Sequence, residues 1–411
     1  MALFVQKFGG SSVADAESMQ RVAQRVYDTR EEGHQVVVVL SAMGKTTDGL
    51  IALAHSVNPE PDDREMDMLL STGEQVSVSI LAMALQAMGA DAVSLTGPQA
   101  GIETDLSHSK AKITSIQPDR IRETLDLGRI VIVCGFQGLA PTGDIATLGR
   151  GGSDTTAVAL AAALKADRCQ IFTDVDGVYT ADPRIVPQAR KLPMIAYDEM
   201  LELASLGAKV LQSRSVEFAK KYGVTLEVLT SFDRTPGTIV KEEVEGMEHI
   251  VVRGVAADKN QAQVTIHGLP DKPGVAAHLF RELAGANVNV DMIVQNVAGS
   301  ELADISFTVP RTELNRTRAT IEKLMPALGG TSASYDVDIA MISIVGVGMR
   351  SHSGVAYRMF EVLGAHRINV EMISTSEIKI SVVIRSAYAD QAMRLLHEAF
   401  ELEKLDLPAG G

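Results

Sequence analysis

Apolar runs and glycine turns alternate through the first half of the chain. Leu3-Phe4-Val5 reads as a first strand, Lys7-Phe8-Gly9-Gly10-Ser11-Ser12 as a glycine turn, and residues 14–30, with Met19, Val22, Ala23 and Val26 at helical spacing, as a helix. The pattern recurs. Gln35–Leu40 is a continuous β-branched run of the kind buried in parallel sheets, and it ends at Ser41-Ala42-Met43-Gly44-Lys45-Thr46-Thr47-Asp48 before a helical 49–55. A small-residue helix over 71–89 follows, then strands at Ala92–Leu95 and Ile130–Cys134, the second ending at Gly135-Phe136-Gln137-Gly138. A helix over 155–166 and a strand over 170–173 come next, and 197–222 is mostly helical. Such alternation predicts one α/β domain with a largely parallel sheet, in which ligands gather at the carboxyl ends of the strands.

The pattern breaks near Thr235-Pro236-Gly237-Thr238 and the charged run Lys241-Glu242-Glu243-Val244-Glu245-Gly246, which marks a domain edge at about residue 245. Beyond it the chain repeats itself. Residues 264–293 and 344–373 align at an offset of 80, pairing Gly274 with Gly354, Val275 with Val355, Phe280 with Phe360, Asn289-Val290 with Asn369-Val370, and Asp291-Met292-Ile293 with Glu371-Met372-Ile373. Each copy reads strand (262–267; 341–345), Gly-Val loop, helix (276–283; 356–363), strand (288–293; 368–373), strand (304–309; 378–384) and helix (314–324; 389–400). Two copies at this period are a duplicated ferredoxin-like βαββαβ unit, at 262–337 and 338–411, rather than a solenoid.

Composition narrows the function. A length of 411 residues suggests two to four domains, and 46% hydrophobic with 22% charged residues is ordinary for a globular chain. The formal net charge of −14, the absence of Trp and the 4% aromatic content argue against a nucleic-acid partner. Cys134 and Cys169 have neither disulfide nor zinc spacing and read as buried thiols of a reducing cytoplasm. Met1-Ala2-Leu3 enters a strand directly with no signal segment, and no apolar stretch is expected to reach membrane-spanning length.

The strongest chemical signal is Thr147-Leu148-Gly149-Arg150-Gly151-Gly152-Ser153-Asp154-Thr155-Thr156, a glycine cluster with one arginine running into a helix. Its glycines allow close backbone approach and the helix start favours an anion, with Ser153 or Asp154 available as cap. Other motifs fail. Gly44-Lys45-Thr46 lacks the glycine a P-loop needs at position 39, which is Val39, and no Rossmann glycine pattern, zincin pair or nucleophile elbow occurs. The remaining loops combine glycine, cations and hydroxyls, which suits phosphoryl transfer, a reaction governed by positioning and charge neutralisation. Lys7 beside Gly9-Gly10 can meet polyphosphate oxygens. Arg150 can grip a carboxylate, Glu74 and Asp154 can hold an ammonium or cap a helix, and Asp174, Tyr179, Arg184 and Lys209 can line a nucleotide site.

Taken together, Lys7-Phe8-Gly9-Gly10-Ser11-Ser12-Val13, Ser41-Ala42-Met43-Gly44, Gly149-Arg150-Gly151-Gly152-Ser153-Asp154 and Thr173-Asp174-Val175-Asp176-Gly177-Val178-Tyr179-Thr180-Ala181-Asp182-Pro183-Arg184, followed by the duplicated unit, resemble the aspartate kinase family over essentially the whole chain. The resemblance implies an α/β amino-acid-kinase fold over 1–245, a mostly parallel sheet sandwiched by helices, then two ACT domains. It implies that the second of these takes a strand from about 248–258. It further implies ATP with Mg²⁺ carried by the nucleotide and no separate metal site. The reaction would be transfer of the γ-phosphoryl group to the side-chain carboxylate of L-aspartate, in lysine, threonine and methionine synthesis. By the same resemblance Lys7, Gly9, Gly10 and Asp154 are catalytic, and Ser41, Thr47, Glu74, Arg150 and Asp154 hold aspartate. Lys7, Phe8, Gly9, Gly10, Thr173, Asp174, Tyr179, Arg184, Lys209 and Val210 hold ATP. Lysine or threonine would bind at Asp271-Lys272-Pro273-Gly274-Val275-Ala276, Asn289-Val290-Asp291 and Gln295 in one copy. In the other the matching positions are Ser351-His352, Gly354-Val355 and Ser374-Thr375-Ser376-Glu377. Relatives pair through ACT domains as homo-oligomers or α2β2 assemblies, the latter with a separate regulatory subunit for which Met247 is a conceivable start. Two rival readings are another amino-acid kinase, acting on glutamate or acetylglutamate, and an ACT-based amino-acid sensor without turnover.

Overall fold

The computed structural model describes residues 1–206, 210–242, 251–297 and 301–404. By their contacts these form two compact units, one of 1–178 with 191–242 and one of 179–190 with 251–404.

In the first unit the order is β1 (Leu3–Phe8), α1 (Ala16–Glu31), β2 (Gln35–Leu40), α2 (Thr46–Val57), α3 (Asp63–Leu70), α4 (Thr72–Ala87), β3 (Ala92–Leu95), β4 (Ile102–Thr104), β5 (Ile113–Ile116), α5 (Asp119–Asp126) and β6 (Ile130–Cys134). There follow β7 (Gln137–Leu139), β8 (Ile145–Thr147), α6 (Gly152–Leu164), β9 (Arg168–Thr173), β10 (Met194–Ala196), α7 (Tyr197–Ser205), α8 (Ser213–Tyr222), β11 (Leu226–Thr230) and β12 (Thr238–Lys241). An eight-stranded sheet runs β10-β12-β11-β9-β1-β2-β6-β3, and only the β11–β12 pair is antiparallel. The central strands β2 and β6 are almost wholly buried because helices cover both faces of the sheet. On one face Met19, Val22 and Val26 of α1 and Val78, Leu81 and Leu85 of α4 close over Val36, Val38, Leu40, Ile130 and Ile132. On the other lies α6, whose unbroken small apolar sequence is buried nearly all round. A second sheet, β5-β4-β7-β8, carries the small cluster Ala111, Ala140, Ala146 and Leu148.

The second unit contains β13 (Gly254–Asp258), β14 (Gln261–Pro270), α9 (Val275–Gly285), β15 (Ile293–Val297), β16 (Leu302–Pro310), α10 (Leu314–Leu328) and β17 (Ser332–Asp336). Then come β18 (Ile339–Val345), α11 (Val355–Ala365), β19 (Met372–Thr375), β20 (Lys379–Arg385) and α12 (Ala389–Ala399). Its two sheets, β15-β16-β14-β17 and β19-β20-β18-β13, have the same plan. Leu279, Leu283, Phe307 and Ile321 centre one core, and Met359, Leu363, Val382 and Leu396 the other. Gly274 and Gly354, equivalent in the repeat, begin α9 and α11 with φ of 99° and 97°, a left-handed conformation that favours glycine.

One expectation is met: the fourth strand of the second copy comes from before the first, as β13, within the expected 248–258, pairs antiparallel with β18. Several expected boundaries move. The strands expected at 288–293 and 368–373 begin later, at Ile293 and Met372. Instead, the amide of Asp291 and the carbonyl of Met292 both bond to Thr308, bringing the chain in at an angle. The helical 197–222 is two helices, and α3 was not foreseen. The stretch Asp63–Ala87 is, by length and composition, apolar enough to cross a membrane, against expectation. Half of its most apolar window is buried, and Ser71 separates it into α3 and α4.

Segment 179–190 clusters with the second unit although it lies between β9 and β10. Ala181 and Val186 join the core around Met359 and Val382, and Thr180 Oγ1 lies 2.9 Å from His397 Nε2.

Candidate active site

The carboxyl ends of β1, β2, β6 and β9 meet at one edge of the large sheet. Lys7, next to last in β1, is 8% exposed, and its Nζ lies 2.5 Å from Asp154 Oδ1 on the first turn of α6. Helix α6 begins at Gly152, with Gly151 as cap in the left-handed region at φ 74°. The cap expected of Ser153 or Asp154 is therefore not made. Ser153 instead packs on Gly135, where an added Cβ would come within 2.7 Å of it, and Asp154 is left for Lys7. A buried carboxylate and ammonium are each costly alone, so each fixes the other.

Beyond Phe8 the chain turns through Gly9 and Gly10, and Gly44 N donates to Gly10 O at 3.0 Å. A Cβ on Gly10 would meet Ala42 O at 2.8 Å, so the two glycine turns approach closer than side chains permit. Ser41 O accepts from Ser77 Oγ at 2.9 Å, and Ala42 N donates to Glu74 Oε1 at 3.1 Å. Glu74 is 3% exposed, burial pushes its carboxyl up to about 7, and its Oε2 has no hydrogen-bond partner among the described residues. A buried acceptor in that state is suited to a ligand's N–H donors. Thr47 lies half-buried on the first turn of α2, next to Thr46, which approaches Gly73 of α4. Arg150 is exposed on the β8–α6 loop and forms no ion pair among the described residues. Burial also pushes the thiol of Cys134 up to about 12, with the Glu74 charge adding to the effect, so it stays protonated.

Of the residues expected on the nucleotide side, Phe8, Thr173 and Asp174 lie in the first unit. Thr173 ends β9 one residue beyond Phe172, the partner of Phe8, and its Oγ1 donates to Oδ1 of the following Asp174 at 3.0 Å. Tyr179 and Arg184 belong to the second unit, where Arg184 pairs with Asp182 at 2.7 Å. Val210 is half-buried, whereas Lys209 and Met247 lie outside the described residues. Sequence reasoning passed over Ser77 and Asp67, whose partners are 36 and 80 residues away, at Ser41 and Thr147.

In the second unit a cavity of about 320 Å³ is lined by Asp271, Lys272, Pro273, Gly274, Val275, Ala276 and Gln295 with Leu269 and Ile305. Of the other positions in that copy, Asn289 donates from its backbone N to Glu313 Oε2 at 2.7 Å and from Nδ2 to Oε1 at 3.3 Å, and Val290 packs on the core. Asp291 bonds through its backbone to Thr308. In the other copy Ser351 ends a short turn (Val347–Ser351), His352 Nδ1 lies 2.8 Å from Gly348 O, and Val355 opens α11 after Gly354. Ser374 and Thr375 lie in β19 opposite Ser381 and Ile380; Ser376 N donates to Lys379 O, and Glu377 is exposed.

The sequence profile of the amino acid kinase family matches residues 2–230, and ACT-domain profiles match 262–328 and 342–400. Fold, glycine loops and profiles define an amino acid kinase joined to tandem ACT domains. The chain is 54% identical over 411 residues to the aspartate kinase of Stutzerimonas stutzeri, covering 100% of this chain and 99% of the relative. It is 54% identical over 405 residues to the aspartokinase of Pseudomonas aeruginosa, covering 98% of each. Among solved structures, E. coli aspartokinase III in complex with aspartate and ADP superposes with a TM-score of 0.79 at 27% identity, over 97% of this chain and 99% of that one. The same enzyme in complex with lysine and aspartate superposes at 0.75 with 28% identity, over 97% and 99%. The chain belongs to the aspartate kinase family, enzymes that phosphorylate a carboxyl group, and the rival readings are not favoured.

Proposed function

We propose that Lys7, Asp154, Glu74 and Arg150 form the site at which this kinase joins L-aspartate to the γ-phosphoryl group of ATP, giving 4-phospho-L-aspartate for lysine, threonine and methionine synthesis. The observation that carries the reading is the juxtaposition, at one sheet edge, of the Lys7–Asp154 pair and Glu74, whose Oε2 has no hydrogen-bond partner among the described residues. Arg150 binds the α-carboxylate through paired N–H groups, and Glu74 accepts from the ammonium. Ser41 and Thr47 add hydroxyls around the amino acid. An oxygen of the side-chain carboxylate then bonds to the γ-phosphorus, the bond from phosphorus to the β–γ bridging oxygen breaks, and ADP leaves. The nucleophile is already an anion, so no base is needed. The obstacle is repulsion, about 4 kcal/mol between two unit charges 4 Å apart near a protein surface. Lys7 lowers it by placing its ammonium against the transferring group, held in position by Asp154, while Gly9 and Gly10 let backbone N–H groups come close. Thr173 and Asp174 take the nucleotide side with Phe8 and Val210. Mg²⁺ carried by ATP would supply further positive charge against the phosphates.

The ACT half is read as the feedback module, with lysine or threonine in the cavity of Asp271–Ala276 and Gln295 and a second effector at the equivalent loop of the other copy, and with pairing between chains through these domains. The lysine complex of E. coli aspartokinase III supports an amino acid as effector. A coupled ATPase assay with L-aspartate, L-glutamate and N-acetylglutamate, repeated with lysine, threonine and both, tests the whole. Turnover of aspartate that falls with either effector is expected. Turnover of only the other two substrates would refute the substrate, and inhibition by neither amino acid would refute the feedback reading.

A further inference from the structure

The β8–α6 loop that presents Arg150 contains little that could hold it from within beyond the turn bond from Gly152 N to Gly149 O at 3.0 Å. Gly149 and Gly151 both have φ of 74°, and α6 has no side-chain cap. Its shape comes from outside. On one side Arg214 of α8 donates to Leu148 O at 2.9 Å and to Ala111 O at 2.7 Å. On the other stands Asp67 of α3, a carboxylate with no exposed surface. It accepts from Thr147 Oγ1 at 2.5 Å and from Ser109 N at 3.1 Å to each oxygen, and His108 Nδ1 lies 2.8 Å from its Oδ2.

These bonds grip both walls of the loop. Thr147 ends β8 two residues before Gly149. Ser109 lies against Gly149 so closely that an added Cβ would come within 2.9 Å of its carbonyl oxygen. Ser109 itself has φ of 60°, an unfavourable conformation for a residue with a side chain, which persists only where its surroundings enforce it. A buried carboxylate is poor material for stability alone, since an apolar residue of similar volume commonly serves as well. One with three accepted bonds converging on a loop fixes geometry.

We propose that Asp67 is a positioning residue for substrate binding: through Thr147 and Ser109 it sets the course of the Gly149–Gly152 loop and so the direction from which Arg150 meets the substrate carboxylate. The proposal rests on the assignment of Arg150 to that carboxylate. Asp67→Asn keeps the volume and one acceptor oxygen but loses the other. Displacement of a clamping group by about 1 Å costs on the order of a hundredfold. Asp67→Asn is therefore expected to raise the aspartate KM about tenfold to a hundredfold, with kcat and the ATP KM within about twofold. Thr147→Val should reproduce the defect and Thr147→Ser should not, which keeps the test in force if Asp67→Asn fails to fold.

Arg150→Ala and the double variant Asp67→Asn/Arg150→Ala separate the possible failures. If Asp67 acts through Arg150, the double variant has the aspartate KM of Arg150→Ala alone. An unchanged KM in Arg150→Ala overturns the arginine assignment and the proposal with it. A raised KM in Arg150→Ala together with normal values in Asp67→Asn and Thr147→Val overturns the role of Asp67 alone. Additive effects in the double variant also overturn it, because they would mean independent contributions.

Discussion

In the proposed site Glu74 ties aspartate binding to pH, and the size of the effect follows from its burial. Its carboxyl is 3% exposed, accepts one hydrogen bond from Ala42 N, and is pushed from 4.5 to about 7 chiefly by loss of hydration. That rise corresponds to a preference of about 3 kcal/mol for the neutral form in the free protein. The ammonium of aspartate needs the anion. At pH 6 about one molecule in eleven carries the charge and at pH 8 about ten in eleven, so the aspartate KM should fall about tenfold between them, while the ammonium itself stays protonated. Glu74→Gln should flatten this profile and raise the KM at pH 8. Stability moves the other way. A folded-state value above the ordinary one means that the native state is favoured while the group is neutral, and that this advantage is lost as pH rises from about 4.5 to about 7. The glutamine variant, which keeps the acceptor for Ala42, should therefore be more stable than the parent at pH 8 by up to about 3 kcal/mol and no more stable at pH 4. Steady-state kinetics and thermal unfolding of the ligand-free protein across pH 5–8.5 measure both. A KM that is flat from pH 6 to 8, or one that keeps its slope in Glu74→Gln, would refute the reasoning.

Two further outcomes follow from packing. Gly151→Ala should lower the melting temperature and the activity together, because the added Cβ would lie 2.0 Å from Gln212 Cγ at a residue with φ 74°; an unchanged melting temperature would mean that the turn is not held as described. Leu283→Ala, fully buried in the first ACT core, should cost about 2–5 kcal/mol in denaturant unfolding, and a cost under about 1 kcal/mol would contradict that packing.

The chain reveals in sequence what depends on local chemistry and conceals what depends on distant partners. Gln35–Leu40 and Ile130–Cys134 announced a buried parallel sheet because five apolar residues in a row have no solvent face. The 80-residue offset announced the duplicated ACT unit, and the glycines at 274 and 354 marked the same helix start in both copies. The pairing of Asp154 with Lys7 was not legible. A carboxylate near a helix start looks like a cap, and only the fold brings the amino terminus 147 residues back to it. Nor was β13 legible as the fourth strand of the second sheet from periodicity alone, since its partner β18 begins some eighty residues later and the family resemblance was needed to suggest it. Helix α3 escaped notice because Asp63, Arg64, Glu65 and Asp67 interrupt its apolar positions, one of them to reach inward to Thr147.

The central claim is that the Lys7 ammonium, held by Asp154, acts on the phosphoryl group in flight rather than on bound aspartate. Steady-state kinetics of Lys7→Ala with aspartate and ATP varied independently test it most directly, with circular dichroism to establish that the variant is folded. A fall in kcat of about a hundredfold or more, with the aspartate KM changed by less than about threefold, is the predicted result. An unchanged kcat with a raised aspartate KM would contradict it and would make Lys7 a ligand of the amino acid instead.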